Sequence, residues 1–171
     1  MPVRRVPGNP EVDAYSGGVD DHRPVVRLRP VDAGSWRDVA ALTVAPGQER
    51  FVAAPTYYLA LCAYGDVWHP MSVHQAGDDG VVGFLMWGVD DADGSCWLGG
   101  LLVDAAQQGR GVGRAAVVEA IRMLRERAGS AGLALSYQPE NTVAKQLYAS
   151  LGFVETGEVD DDEVVARLPG T

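Results

Sequence analysis

The chain has only two cysteines and three histidines in 171 residues. Cys62 and Cys96 sit among apolar neighbours without Cys-x-x-Cys spacing, which argues against a zinc or redox pair and leaves reduced, buried thiols. His22, His69 and His74 share no ligand spacing with each other or with a cysteine, so no metal site is expected. Basic residues are scarce too: 14 Lys and Arg stand against 23 Asp and Glu, a formal charge of −9. Nucleic acid needs a basic face and is not an expected partner. No run approaches the about 18 apolar residues of a membrane span, so no membrane association is expected either. Residues 1–24 hold Arg4 and Arg5 but no apolar h-region. They read as a disordered arm with no signal peptide, which makes the cytoplasm the expected location.

What is present suffices for one core. Apolar residues make up 47% of the chain, and a single domain over residues 25–171 buries about two thirds of its unfolded surface. Val25 to Arg29 reads as a strand, after which Pro30 and Asp32 turn the chain into a helix carrying Trp36, Val39, Ala40 and Leu42. Pro46 and Gly47 break that helix. A short helical stretch is expected over Gln48 to Ala53 and another over Thr56 to Tyr64, stopped by Gly65. His69 to Gln75 and Val81 to Val89 form a hairpin about Gly77-Asp78-Asp79-Gly80, and Cys96 to Val103 follows as a strand. Neither of the last two strands alternates polar with apolar, which suits a sheet covered on both faces. Val117, Ile121, Leu124 and Ala128 form one stripe of a long helix beginning at Gly111. A strand over Leu133 to Tyr137, a helix capped by Asn141, and a hairpin of Phe153 to Gly157 with Val164 to Leu168 complete an α/β sandwich. The acidic clusters at residues 78–79, 90–93 and 160–163 read as solvated turns.

Leu101 to Ala116 is the most informative segment. An apolar strand leads through a short polar loop into a turn where Gly109, Gly111 and Gly113 carry no Cβ. Backbone N–H groups can there close on an anion, ahead of a helix N-terminus. A nucleoside-triphosphate loop needs Lys-Ser/Thr at its end, and Arg114-Ala115 stands there instead. A dinucleotide fingerprint needs the turn directly after its strand and an acid about 20 residues on. Five residues separate Val103 from Gly109, and no acid stands about 20 residues past the turn, the first one beyond the following helix being Glu140. A glycine turn without any ligand is the bland alternative.

A second pattern lies downstream. Val103, Gln108-x-x-Gly111-x-Gly113 and Asn141-x-x-Ala144-x-x-Leu147-Tyr148-x-x-x-Gly152-Phe153 together resemble the GNAT superfamily of N-acetyltransferases. Gln48-Glu49-x-Phe51-Val52-Ala53, Gly83-Phe84-x-Met86 and Leu135-Ser136-Tyr137-x-Pro139-x-Asn141 resemble its bacterial spermine/spermidine acetyltransferase-like subgroup. The resemblance implies a single-domain GNAT fold over residues 25–171, with a mixed central β-sheet splayed at the cofactor site and helices on both faces. It implies acetyl-CoA as co-substrate and no metal. The pantetheine arm would pair with the backbone of Leu101, Leu102 and Val103. The pyrophosphate would rest on Gln108, Gly109, Arg110, Gly111, Val112, Gly113 and Arg114, the two arginines adding charge-assisted contacts. Asn141 would bind the cofactor's arm and also cap its helix.

The implied reaction is direct attack by a primary amine, with the Tyr148 phenol protonating the departing thiolate and the Val103 N–H meeting the thioester carbonyl. A polyamine is the first expected acceptor, and an amine-bearing antibiotic or metabolite the second. Protein or peptide amine acetylation and a non-catalytic acyl-CoA-binding module are the alternatives. Glu49 is a candidate to pair an ammonium, and Trp87, with Trp97, Tyr57 and Tyr58, to line a cation pocket. Dimers are common in that family, which leaves a homodimer open. One departure concerns the base: where many relatives carry a carboxylate on the strand before the cofactor motif, this chain has Gly99 and Gly100. Deprotonation would run through water and backbone carbonyls, or Glu49 would reach in, or the cavity would be enlarged for a bulky acceptor.

Overall fold

The computed structural model describes residues 24–170, so the arm read over residues 1–24 lies, but for Pro24, outside the described residues. Eleven elements follow in the order β1 (Val26–Pro30), α1 (Trp36–Ala40), α2 (Pro55–Tyr64), β2 (His69–Gln75), β3 (Val81–Val89), β4 (Cys96–Val103), α3 (Val112–Ala128), β5 (Leu133–Tyr137), α4 (Thr142–Ser150), β6 (Val154–Asp160) and β7 (Glu163–Leu168). They build a seven-stranded sheet in the order β1-β2-β3-β4-β5-β7-β6. The hairpin-connected strands pair antiparallel, whereas β4 and β5, joined through α3, pair parallel as a helical crossover requires.

Each face of the sheet has its own core. On one, α3 and α4 pack against the strands, and Val117, Leu124 and Ala128 of the expected stripe are buried with Leu98, Leu133 and Leu135. Leu124 is 1% exposed, so truncating it to alanine would cost about 2–5 kcal/mol. On the other face, α1 and α2 cover Phe84, Met86 and Leu102. The sheet is covered on both sides, as the continuous apolar character of β3 and β4 implies.

The helical half departs from the sequence reading. Gln48 to Ala53 forms no helix. Two successive turns close there instead, with Gln48 N–H donating to the Ala45 carbonyl and Phe51 N–H to the Gln48 carbonyl. Pro55 explains this in part, because it holds Ala54 in an extended conformation (ψ 143°) and denies the preceding segment a continuous helix. At the other end, Glu49 turns back onto the Gly47 N–H at 2.7 Å. The closing hairpin is longer than its sequence pattern: β6 runs on past Gly157, which sits at φ +83° in an irregular stretch of the β6–β7 ladder.

The feature that positions the site is the parting of β4 from β5. Their ladder runs only from Cys96↔Leu133 to Leu98↔Leu135. Immediately beyond, Met86 pairs with Gly99 and Phe84 with Leu102, so Gly100 and Leu101 together oppose Leu85 in a bulge. Gly100 adopts φ +60°, a conformation a β-carbon makes costly. The bulge bends β4 away and opens a V in the middle of the sheet.

Candidate active site

A cavity of about 1190 Å³ opens from this V, bounded by β4, the glycine turn, α4, α2 and the β6–β7 hairpin. Its first wall is backbone. The Asp104 N–H donates to the Val82 carbonyl at 2.9 Å, which makes Gly83/Val103 a non-hydrogen-bonded pair. The Val103 N–H and C=O therefore face the V. The carbonyl accepts from Gln108 Nε2 at 2.9 Å, and the same amide reaches Gln48 Oε1 at 2.8 Å. The N–H has no strand to meet on that side, since β5 has already diverged.

The turn after β4 continues that wall. From Gly109 to Arg114 no backbone N–H makes a well-formed hydrogen bond to a carbonyl among the described residues, and the first intrahelical bond is Ala115 N–H to the Gly111 carbonyl. Gly109 and Gly111 adopt φ +74° and +80°, and a Cβ on Gly109 would point into open space. Six consecutive donors without a well-formed bond, at the start of a 17-residue helix, make a cradle suited to a pyrophosphate. Gln108, Gly109, Gly111, Val112, Gly113 and Arg114 all line the cavity. Arg110 does not: its guanidinium leans onto Gln107 Oε1 at 3.3 Å. Arg114 does, and it also donates to Ser150 Oγ. Asn141 caps α4, its Oδ1 accepting the Ala144 N–H at 3.1 Å, with its amide nitrogen left without a protein partner among the described residues.

The opposite wall is made of side chains. Tyr148, on α4, packs its ring against Tyr137 and Phe153 with centroids 5.7 and 5.9 Å away. No described residue hydrogen-bonds its hydroxyl, and the residue lines the cavity. Burial pushes its phenol well above the ordinary tyrosine range, and the Glu163 carboxylate adds to that effect. Tyr58 stacks on Phe84 and meets the edge of Tyr57. Trp97 lines the cavity, and its buried indole N–H has no partner among the described residues.

Of the residues considered for a cation pocket, Tyr57, Tyr58 and Trp97 reach the cavity and Trp87 does not. The Trp87 ring lies between His69, 4.3 Å away, and the Arg127 guanidinium at 4.8 Å. Glu49 is also absent from the cavity wall, being held by Gly47. Gly99 and Gly100 do not enlarge the space. A Cβ on Gly99 would come within 3.3 Å of Trp68, and one on Gly100 within 3.3 Å of Tyr58 and Phe84, so aromatic rings fill the room a strand carboxylate would need.

Carboxylates enter from elsewhere. Asp160, Asp161 and Glu163, read from sequence as part of a solvated turn, line the cavity. Asp160 pairs with Glu163 across a two-residue turn in which Asp161 and Asp162 adopt φ +46° and +67°. Glu163 accepts from Ser136 Oγ at 2.5 Å and from Gln138 Nε2 at 3.5 Å, which ties it to β5. Local sequence holds no signal for this, because only the β5–β7 ladder brings the hairpin over the V.

A sheet split beside an unpaired glycine turn, with an aromatic cavity at the split, defines an acyl transferase of the GNAT architecture. The chain matches the acetyltransferase (GNAT) family over residues 36–153 and belongs to it. It is an acetyl-CoA-dependent N-acetyltransferase. Over 141 residues it is 31% identical to the spermine/spermidine N(1)-acetyltransferase of Bacillus subtilis strain 168, covering 79% of this chain and 91% of that protein. Its fold is similar to spermidine N-acetyltransferase from Vibrio cholerae in complex with CoA and spermine (TM-score 0.64, 18% identity, 83% of this chain and 92% of that one). It is also similar to aminoglycoside acetyltransferase AAC(6')-Ib in complex with coenzyme A (TM-score 0.65, 19% identity, 84% and 94%). No helix among the described residues is long and apolar enough to cross a membrane.

Proposed function

We propose that the protein transfers the acetyl group of acetyl-CoA to a primary amine of a small cationic molecule, a polyamine before an amine-bearing antibiotic or metabolite, with Tyr148 as the general acid. The observation that carries this reading is a pair of unclaimed donors on one cavity: the Val103 N–H facing the V and the Tyr148 hydroxyl. When bound, acetyl-CoA supplies an activated acyl carbon. Leu101, Leu102 and Val103 offer it a free strand edge, and the amides from Gln108 to Arg114 receive its phosphates. Of the two arginines, Arg114 fits that role by its position on the wall, and the amide of Asn141 is free to donate to the arm. The Val103 N–H stabilises the charge that develops on the carbonyl oxygen, and Tyr148 gives its proton to the leaving sulfur. A phenol held above its ordinary pKa stays protonated at neutral pH and is loaded for that step.

The acceptor class rests on charge and on likeness. Asp160, Asp161 and Glu163 give one side of the cavity a negative field, and the B. subtilis relative is named for spermine and spermidine. An amine-bearing antibiotic stands second, on the likeness of the fold to the aminoglycoside acetyltransferase.

Thiol release from acetyl-CoA, measured against spermidine, spermine, kanamycin, free amino acids and peptides, tests the reading. Turnover of the polyamines is expected. Kanamycin turnover with both polyamines inert supports the second acceptor, and turnover confined to peptides supports a protein acetyltransferase. No thiol release with any amine leaves an acyl-CoA-binding module.

A further inference from the structure

We propose that Glu163 is the general base, the carboxylate that takes the proton of the attacking ammonium. This rests on the amine acetyltransferase reading and deepens it. The family match ends at residue 153 and does not reach this position. Three observations lead to it. The strand positions where a base is expected are glycines, with Trp68 and Tyr58 against them, so no group on β4 serves. Glu49 is folded back onto Gly47, outside the cavity. Glu163 lines the cavity together with Tyr148, and it is held there by two donors, Ser136 of β5 and Gln138 just after it. Each oxygen has one such donor, so each keeps a lone pair open to the cavity.

Its position is reflected in its neighbours. The Glu163 charge contributes to the raised pKa of both Tyr148 on α4 and Tyr58 on α2. The carboxylate thus lies within electrostatic reach of the proposed acid on one side and of the aromatic wall on the other. The charged groups on the same cavity are Asp160 and Asp161 from its own hairpin, Arg114 from α3 and Arg50 from the loop before α2. The hydrogen bond from Ser136 holds the carboxylate in one orientation, as a positioned base requires.

The proton count closes. Glu163 takes one proton from R–NH3⁺ and passes it to solvent. The freed lone pair forms the N–C bond while the C–S bond breaks, and the sulfur takes the Tyr148 proton. The protonated amide nitrogen then returns a proton to the Tyr148 oxygen. The sum is R–NH3⁺ and acetyl-CoA giving the amide, CoA thiol and one proton.

Glu163→Gln keeps the shape and the Ser136 contact while removing the basic oxygen. With spermine as acceptor, its kcat is expected to fall about 10²–10⁴-fold, with the acidic limb of the wild-type pH–rate profile lost and CoA affinity by calorimetry unchanged. Hydroxylamine, already neutral at pH 7, should lose far less. Retention of the wild-type kcat and profile on any amine the wild type acetylates overturns the proposal. Equal loss with spermine and hydroxylamine does so too, because it marks a structural role. Ser136→Ala, which frees the carboxylate without removing it, should cost much less than Glu163→Gln, and the reverse order also overturns it. A wild type inert toward every amine overturns the acceptor reading first and this proposal with it, whereas activity that survives Glu163→Gln overturns this proposal alone.

Discussion

The two ends of the cavity are built from different materials. The end proposed for acetyl-CoA is almost entirely main chain: a strand edge released by a bulge, and amides of a glycine turn that make no well-formed bond among the described residues. The acceptor end is almost entirely side chain, with aromatic rings from α2, β4, β5, α4 and the loops before α2 and β2, and carboxylates from the β6–β7 hairpin. Main-chain amides recognise an anion of fixed shape and tolerate change in most side chains around them, so that end reads as a spaced motif. Side-chain walls assembled from distant segments can be exchanged one residue at a time. One fold can thereby keep its co-substrate while its acceptor changes.

If the ends are separable, mutations should split into kinetic classes. Tyr148→Phe should lower kcat by about 10²–10⁴-fold while the acetyl-CoA KM stays near that of the wild type, since the lost interaction acts mainly in the transition state. Steady-state kinetics with a saturating amine checks this. A parallel rise in the KM for acetyl-CoA would break the comparison by assigning Tyr148 to binding.

Gly111→Val should do the converse. The position needs φ +80°, and its Cβ would meet Pro24 at 3.4 Å. Left-handed strain of about 1–3 kcal/mol either distorts the cradle or is relieved by moving it. CoA affinity, read by calorimetry, should fall by about tenfold or more. The amine KM should change little.

Asn141→Ala tests whether one residue belongs to both structure and site. Loss of the cap should lower stability by about 0.5–2 kcal/mol in urea denaturation. An additional loss of CoA affinity, beyond what Thr142→Gly at the next position produces, would show the amide donating to the arm.

The smallest effect is expected far from both ends. Hydrogen bonds from Ser95, then the Arg167 guanidinium, hold the Asp93 carboxyl below its ordinary value. A depressed carboxylate stabilises the fold fully above its unfolded pKa of about 3.9, and that contribution fades as pH falls through the lower folded value. Asp93→Asn should therefore weaken the fold slightly at neutral pH and flatten the acid side of a Tm–pH curve, with acetylation unchanged. A change in kcat would mean that β7, which carries both Arg167 and Glu163, transmits to the acceptor end.

What could be read in the chain follows the same division. Gly109, Gly111 and Gly113 mark a turn because glycine is the residue such backbone angles favour, and Asn141 marks a helix start because its short side chain can reach the third N–H beyond it. Tyr148 stood out by its place in Leu-Tyr-x-x-x-Gly-Phe, and it lines the cavity. Trp87 and Glu49 drew attention by residue type, yet a cation–π contact to Arg127 and a turn at Gly47 hold them elsewhere. The expected helix over Gln48 to Ala53 failed because local apolar spacing cannot weigh a pair of turns against the constraint of Pro55.

By itself the sequence determined the seven strands in their order, the helix stripe with its core and the glycine turn ahead of that helix, since each depends on residues close together along the chain. Only the tertiary structure decided the fate of the Gly99-Gly100 departure and of the acidic turn. Rings of Trp68 just ahead of β2, Tyr58 of α2 and Phe84 of β3 close over the two glycines. The parallel β4–β5 pair and the antiparallel β5–β7 pair bring residue 163 to the cavity that opens beside residues 99 and 100. No local pattern records that encounter, because sheet pairing sets it.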